Sequence, residues 1–244
     1  MIRNIEKKYE GRVSSDGAGV KLNRIFSKRD IKDVDPFLLL DFFDSENPDD
    51  YTNGFPWHPH RGIEIITYLI SGEIEHGDNL GKSGIVKSYG CQWMTAGSGI
   101  IHQEMPQKSD KMLGAQLWLN LPKKHKMTEP KYRDITKKDL GVYKDNDKTV
   151  RVICGEYKDT KGAISGTFIN PIYFDVSLKN KGEFKYQVSK NKTVYLLLIK
   201  GEIDIDGQKV NFENTKGILL SKGKDILIKS TKDAKFFIHG SWST

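Results

Sequence analysis

The chain has 244 residues with 37% hydrophobic and 29% charged side chains, and its formal net charge is +7 at pH 7. This length supports one large domain or two ordinary ones with a substantial buried core. The longest apolar run, VYLLLI at residues 194–199, is too short to span a bilayer, and the N-terminal sequence lacks the apolar core of a signal peptide. The composition therefore argues against a membrane protein, and we expect a cytoplasmic one.

The positive charge is concentrated in the second half of the chain. Residues 1–122 carry a formal charge of −3, and residues 123–244 carry +10. A basic half attracts acidic proteins or nucleic acid. The lysines are scattered, however, and KKHK at residues 123–126 is too short to form a binding motif. We interpret the excess as a solvated, lysine-rich surface, which disfavours nucleic acid as a partner and leaves a protein partner open.

The two cysteines, Cys91 and Cys154, are far apart and lie outside any CxxC pattern. This spacing argues against a disulfide framework and against a thiolate zinc site. We expect both residues to be buried, reduced thiols.

In chain order, the first half contains a series of short β-rich segments separated by Gly, Asn or Asp. EIITYLISGEIEH at residues 64–76 predicts a strand, a glycine turn and a second strand. GIVKSYG, CQWMTAG, GIIHQEM and GAQLWLNL follow, the last at residues 114–121. No segment shows a helical pattern of convincing length. The first half therefore predicts a β-sandwich of about 100 residues.

The second half repeats this rhythm in TVRVICGEY, NPIYFDVSL, EFKYQVS, TVYLLLIKGEIDIDGQKVNF, GILLSK, DILIKS and AKFFIHG. YLLLIKGEIDIDG and TYLISGEIEH share an apolar strand, Gly-Glu-Ile and an alternating polar strand, which indicates two related domains. Residues 130–148 are polar and lose the alternation, so we place the domain boundary in this segment. We predict an all-β protein with an N-terminal domain at residues 1–133 and a C-terminal domain at residues 134–244.

The first candidate ligand pair lies in GFPWHPHRGIE, residues 54–64. Because alternate residues of a strand point to the same face, His58 and His60 share one side of an extended segment. Pro59 keeps His58 extended, since the residue before a proline avoids the helical region. A proline also restricts the segment to a sheet edge, a bulge or irregular structure, which often border functional sites. A single HxH pair is nevertheless common at ordinary surface positions.

The second pair lies in AGSGIIHQEMP, residues 96–106, where His102 and Glu104 are also two residues apart. Gly97 and Gly99 allow a tight turn before this strand. If the two strands are neighbours, the pairs combine into three imidazoles and one carboxylate, a set that suits several divalent transition metals. The predicted metal ligands are therefore His58, His60, His102 and Glu104.

Other polar residues near these stretches receive different assignments. Glu64 shares the parity of the HPH pair, but Gly62 can shift the strand register, so we place Glu64 behind the ligands rather than among them. His76 and Asp78 either orient a ligand or belong to a strand-end turn, and the turn is the favoured interpretation.

The remaining histidines and the tryptophans receive no chemical role. His125 and His239 have no partner at ligand spacing. Trp57, Trp93 and Trp118 are expected in the core or along a ligand cavity, where aromatic walls suit a flat ligand.

Three blocks of the sequence resemble the signature of the pirin family of the cupin superfamily: HPHRGIEIITYLISGEIEHGDNLG, QWMTAGSGIIHQEMP and QLWLNLPKKHKMTEPKY. They lie within residues 58–132, and weaker agreement extends over most of the chain. Gly90 and Cys91 replace the Gly-Asp that many members carry before QWM, which changes one turn residue. The resemblance implies a bicupin of two jelly-roll β-barrels, with a C-terminal domain free of metal because it lacks HxH and HxE. The family's metal ligands coincide with His58, His60, His102 and Glu104.

The resemblance also implies two functions of different classes. The first is a quercetin 2,3-dioxygenase type of enzyme that uses O2 to cleave a flavonol or a related enol or aromatic substrate. Its metal is expected to be Fe(II), with Mn, Ni, Cu, Co and Zn as alternatives, and Glu104 is the expected catalytic base. The second is a metal- or redox-sensing binding protein that regulates a protein partner. We favour the enzyme and expect a monomer.

Overall fold

The chain forms twenty-four β-strands and very little helix, in a computed structural model that describes all residues from Met1 to Thr244. The first twelve strands are β1 (Ile5–Tyr9), β2 (Arg12–Asp16), β3 (Val20–Phe26), β4 (Phe37–Ser45), β5 (Phe55–His60), β6 (Ile63–Ser71), β7 (Ile74–Asp78), β8 (Ser83–Val86), β9 (Cys91–Thr95), β10 (Ile100–Pro106), β11 (Met112–Asn120) and β12 (Lys131–Ile135). The others are β13 (Gly141–Lys144), β14 (Lys148–Cys154), β15 (Glu156–Tyr157), β16 (Thr160–Lys161), β17 (Ile172–Leu178), β18 (Glu183–Gln187), β19 (Thr193–Lys200), β20 (Glu202–Ile205), β21 (Gln208–Asn211), β22 (Gly217–Leu220), β23 (Asp225–Ser230) and β24 (Ala234–Ser241).

The helical residues are confined to four short turns. One is an α-helix, α1 (Ile31–Val34), and three are 3-10 turns at Lys28–Asp30, Pro48–Asp50 and Lys123–His125. None of these helices has the length and apolar character needed to cross a membrane.

Contacts divide the chain into two units. The N-terminal unit consists of Arg12–Asp33, Phe37–Asp139 and Thr244, and the C-terminal unit consists of Met1–Gly11, Val34–Pro36 and Leu140–Ser243. Met1–Gly11 belongs to the C-terminal unit because β1 pairs with β22. The predicted domain boundary after residue 133 stays a prediction.

Each unit is a cupin jelly roll of one seven-stranded and one four-stranded antiparallel sheet, which confirms the expected all-β bicupin. In the N-terminal unit the strand orders are β12-β9-β6-β11-β4-β3-β2 and β5-β10-β7-β8. In the C-terminal unit they are β1-β22-β19-β24-β17-β14-β13 and β18-β23-β20-β21. The two sets of orders correspond strand by strand, with β6 matching β19 and β7 matching β20.

The shared Gly-Glu-Ile segments lie at corresponding places in the two units. Gly72 joins β6 to β7 and Gly201 joins β19 to β20, and both glycines have positive φ, of 100° and 82°. In each unit this turn carries the chain from the large sheet to the small one. The internal repeat in the sequence therefore reflects a repeat in topology.

Residues 130–148 contain β12 and β13 although their sequence lacks alternation, and the two units meet within this segment, between Asp139 and Leu140. β12 pairs with β9 and β13 pairs with β14, and each lies at the end of its seven-stranded sheet. An edge strand exposes many of its side chains, so its hydrophobic alternation is weak.

The cores follow from alternation along the strands. In the N-terminal unit, Ile65, Met94, Ala96 and Ile100 form one apolar cluster near the start of β10. A much larger cluster in the C-terminal unit includes Phe174, Phe184, Leu196, Phe236 and Ile238. Cys91 and Cys154 are buried and unbridged, as expected.

Candidate metal centre

Strands β5 and β10 bring the predicted histidines together. They are neighbours in the four-stranded sheet, and His102 lies directly opposite His58 in their antiparallel register. β5 is an edge strand, and an edge strand is one of the positions in a sheet where proline is tolerated. The candidate ligand nitrogens of His58, His60 and His102 all lie within 4.8 Å of one another, so this group could hold a metal ion.

Hydrogen bonds on the outer side of the rings determine which nitrogen faces the centre. Nδ1 of His58 is 2.7 Å from the carbonyl oxygen of Pro56. Because a carbonyl only accepts, this Nδ1 carries the proton and Nε2 keeps a free lone pair. Nδ1 of His102 is 2.9 Å from the Tyr132 hydroxyl, and the tautomer that donates to this oxygen also leaves Nε2 free.

Nε2 of His102 is buried and has no hydrogen-bond partner within the chain. A buried polar atom of this kind is costly unless something binds it. A divalent ion held by three imidazole nitrogens would satisfy it, so the residues fit a metal.

Burial favours the neutral form of two of the three rings. Loss of hydration, followed by the nearby histidines, lowers the pKa of His60 and of His102 to about 3. Both imidazoles are therefore neutral at pH 7, which is the form that binds a metal.

Glu104 is adjacent to the histidines but is not a member of the group within 4.8 Å. The β5–β10 register is irregular between His102 and Glu104, which aligns Glu104 with Phe55. The carboxylate is buried, and its Oε1 accepts hydrogen bonds of 3.1 Å from Thr67 Oγ1 and from Gln116 Nε2. Gln116 Nε2 also donates to Oε2 at 2.9 Å. The assignment of Glu104 as fourth ligand and catalytic base stays a prediction.

Three side chains, Tyr132, His76 and Asp134, stand behind His102. Tyr132 of β12 stacks on His76, with ring centroids 5.0 Å apart and an interplanar angle of 7°. Nε2 of His76 is 3.0 Å from a carboxylate oxygen of Asp134. Burial raises the pKa of Tyr132, so its phenol is protonated at neutral pH. Asp134, His76 and Tyr132 thus form a chain of contacts that ends at the candidate metal ligand His102.

Sequence reasoning missed Tyr132 and Asp134 because they lie in the polar segment at the predicted domain boundary, where no strand was predicted. The alternating residues of KYRDI, just after Pro130, were the available signal for a strand. His76 lies in β7, two residues before its end, and stacks on Tyr132. Asp78 does cap a turn, since its Oδ1 accepts from the backbone amides of Leu80 and Lys82.

A cavity of about 190 Å³ adjoins the histidines. It includes the aromatic rings of Phe55 and Trp118, and the Trp118 ring centroid is 5.0 Å from that of His60. Trp118 Nε1 donates to Gln116 Oε1 at 3.2 Å. The expected cavity role of Trp118 is confirmed, and Trp93 is fully buried in the core. Trp57 is 54% exposed, so its placement in the core or cavity is wrong.

Glu64 is buried outside the histidine group, as expected. It lies on β6 of the seven-stranded sheet and accepts a 2.7 Å hydrogen bond from Thr95 Oγ1. Burial raises the pKa of this carboxyl group. His125 and His239 also lie outside the histidine group.

In the C-terminal unit, the strands that correspond to β5 and β10 carry no histidine. β18 and β23 present Phe184, Tyr186, Ile226 and Ile228 instead. Phe184 and Ile228 are fully buried, and Tyr186 packs against the same core. This barrel is therefore filled by hydrocarbon where the N-terminal barrel gathers imidazoles.

Comparisons with known proteins agree with this architecture. Residues 19–119 match the protein family described as Pirin, and residues 173–240 match the Pirin C-terminal cupin domain. A pirin-like protein of Caulobacter vibrioides is 37% identical over 240 residues, which cover 97% of this chain and 86% of that protein.

Two solved structures share the fold over almost the whole chain. A quercetin 2,3-dioxygenase from Acinetobacter baumannii superimposes with a TM-score of 0.87 and 29% identity, covering 99% of this chain and 88% of that one. A bacterial pirin from Escherichia coli in complex with nickel(II) has a TM-score of 0.72 and 19% identity, covering 99% of this chain and 98% of that one.

Proposed function

Because the chain belongs to the pirin family, we propose that it is a metal-dependent dioxygenase acting on a hydroxylated aromatic or enol substrate of the flavonol type. The observation that carries the proposal is the convergence of three imidazoles, with Nε2 of His102 buried and unpartnered. The likeness to a quercetin 2,3-dioxygenase supports the reaction type. The cavity beside the histidines provides a place for a substrate.

In this proposal His58, His60 and His102 hold the metal and Glu104 completes the set. Three nitrogens and a carboxylate suit several divalent ions, with Fe(II) as the first expectation. The E. coli pirin that contains nickel shows that the fold also accepts Ni(II). When bound, the metal acts as a Lewis acid that stabilises the deprotonated oxygen of the substrate.

Glu104 is proposed to accept the proton of the substrate hydroxyl at a carboxylate oxygen. Its hydrogen bonds from Thr67 and Gln116 orient the group as an acceptor within a buried site. Gln116 also receives the hydrogen bond of Trp118, so the base and the cavity wall are positioned by one side chain.

The function is tested by comparing the wild type with His58→Ala. We expect the purified wild type to bind one first-row metal per chain, and to consume oxygen and release carbon monoxide with quercetin. His58→Ala should lose both properties, because two remaining imidazoles bind the metal poorly. His125→Ala is the matched control, since His125 lies in the 3-10 turn Lys123–His125, outside the histidine group, and it should behave like the wild type.

Two results would contradict the proposal in different ways. Absence of any first-row metal after reconstitution would refute the metal centre itself. Bound metal without oxygen consumption on any flavonol, catechol or enol would refute the enzyme and favour the metal-sensing binding protein.

A further inference from the structure

The cavity beside the histidines has two kinds of wall. Phe55 and Trp118 provide aromatic surface, whereas Asp16 and Asp41 provide carboxylates. Asp41 is buried at 4% exposure and Asp16 is at the rim. A ligand that enters the cavity therefore meets apolar rings and anionic acceptors together.

Arg24 binds both carboxylates without lining the cavity. Its Nε and Nη2 donate to the two oxygens of Asp41 at 2.8 Å each, and Nη2 also donates to Asp16 at 2.6 Å. The guanidinium thus fixes the two carboxylates, while the cavity is lined by Asp16 and Asp41 and not by Arg24. Arg24 balances one of the two negative charges, so this wall offers a ligand hydrogen-bond acceptors that share one net negative charge.

The size of the cavity is limited by the turn between β2 and β3. Ala18 N donates to Gly54 O at 3.0 Å, which holds the turn against the start of β5. Gly17 has φ +58°, and a Cβ there would lie 2.6 Å from Gly54 O and from the Phe55 ring. The cavity volume of about 190 Å³ is below the ~300–1,000 Å³ of typical ligand pockets. It suits one substituted ring.

We propose that this cavity selects a neutral ligand through a single hydroxylated ring, whose hydroxyl groups donate to Asp16 and Asp41, and that it rejects ligands with a carboxylate on that ring. The inference rests on the proposed function, because it assumes that the other end of the ligand lies at the metal held by the histidines. The physical basis is that an anionic acceptor wall attracts hydroxyl donors and repels a second carboxylate.

The test uses two probes of equal size that differ in charge, 3,4-dihydroxybenzamide and 3,4-dihydroxybenzoate. Their binding to the metal-reconstituted protein is measured by isothermal titration calorimetry without oxygen. We expect the neutral amide to bind at least about tenfold more tightly than the acid. Equal affinities would overturn the proposal.

Asp16→Asn removes one negative charge at constant size. Asp16→Asn should reduce the ratio of the amide affinity to the acid affinity severalfold. Asp110→Asn is the matched control, because Asp110 is exposed and does not line the cavity, and it should leave this ratio unchanged. An unchanged preference in a folded Asp16→Asn protein would overturn the role of this wall. If the variant does not fold, a salt series on the wild type gives the same information, because screening should reduce the preference. A preference independent of salt would then count against the proposal.

The single-ring part is tested with quercetin as a third probe. Its additional rings would lie outside the cavity, so we expect its affinity to stay within about tenfold of that of the benzamide. A larger gain would show that recognition extends beyond the cavity and would overturn this part.

Oxygen uptake, measured in air with the same protein preparations and probes, separates this inference from the proposed function. Charge selection without oxygen consumption would support the cavity and refute the dioxygenase. Oxygen consumption without charge selection would support the dioxygenase and refute the proposed selection by the cavity.

Discussion

His102 uses its two ring nitrogens for different purposes. Nδ1 contacts the Tyr132 hydroxyl at 2.9 Å, whereas Nε2 is buried beside the other imidazoles. Such a contact on the outer nitrogen fixes the ring orientation and the tautomer of a metal-binding histidine. We therefore expect the metal affinity of the candidate centre to depend on Tyr132, which lies outside the ligand set.

Replacement of this tyrosine tests that dependence. Tyr132→Phe should weaken metal binding by about 10–100-fold, because Nδ1 of His102 loses its partner while the stacking on His76 remains. The dissociation constant is measured by competition with a chelator. Tyr143→Phe is the control, since it also removes a hydrogen-bonded hydroxyl, but from the C-terminal unit. Equal metal affinity in Tyr132→Phe and wild type would show that the hydroxyl does not orient His102.

At the scale of elements, the turn between β9 and β10 determines the position of the strand that carries His102. Gly97 has φ +52°, and a Cβ there would lie 2.1 Å from the carbonyl oxygen of Thr128. Gly97 O accepts from Gly62 N at 2.8 Å, and Thr128 O accepts from Ser98 N at 2.8 Å. The turn is thus bound both to the end of β5 and to the segment before β12.

Gly97→Ala should destabilise the protein by about 3 kcal/mol, since it combines left-handed strain with a clash against backbone. Gly81→Ala is the matched control. Gly81 has φ +81° with open space around it, so only the conformational cost of about 1 kcal/mol is expected. Urea unfolding of both variants measures the difference. A Gly97→Ala protein as stable as Gly81→Ala would mean that the backbone around Thr128 shifts at little energetic cost to accommodate the added Cβ.

At the scale of the whole molecule, the same topology is used twice with different contents. The N-terminal barrel gathers imidazoles between β5 and β10, and the C-terminal barrel packs apolar and aromatic side chains between β18 and β23. The C-terminal unit contains one histidine, His239, which is buried on β24 with its ring 4.2 Å from that of Tyr173. Burial lowers the pKa of His239 to about 3.

This shift predicts a loss of stability in acid. The folded state keeps His239 neutral, while the unfolded state takes up a proton below about pH 6.5, so stability falls as the pH falls from about 6.5 towards 3. Between pH 6.5 and pH 5 this single group contributes a loss of about 2 kcal/mol. His239→Gln should show a smaller loss over that interval when urea unfolding is measured at each pH. Parallel curves for variant and wild type would indicate that His239 is not the responsible group.

Much of the fold and part of the centre could be predicted from local patterns. Alternation in the strands, glycine turns and the Gly-Glu-Ile repeat predicted two β domains, and the two-residue spacing in HPH placed His58 and His60 on one face. The same parity also shows why Trp57 is exposed, because Trp57 and Pro59 lie on the face of the edge strand opposite His58 and His60. The prediction that Trp57 lies in the core or cavity was wrong because it did not take this strand parity into account.

The sequence by itself determined which residues can bind a metal and which strands carry them, because ligand chemistry and strand parity are local properties. Only the tertiary structure decided what surrounds them. Tyr132 meets His102 across thirty residues, Gln116 meets Glu104 from another sheet, and Arg24 joins Asp41 to Asp16. Such contacts depend on strand order and register, which arise from packing of the whole barrel and leave no fixed spacing in the chain.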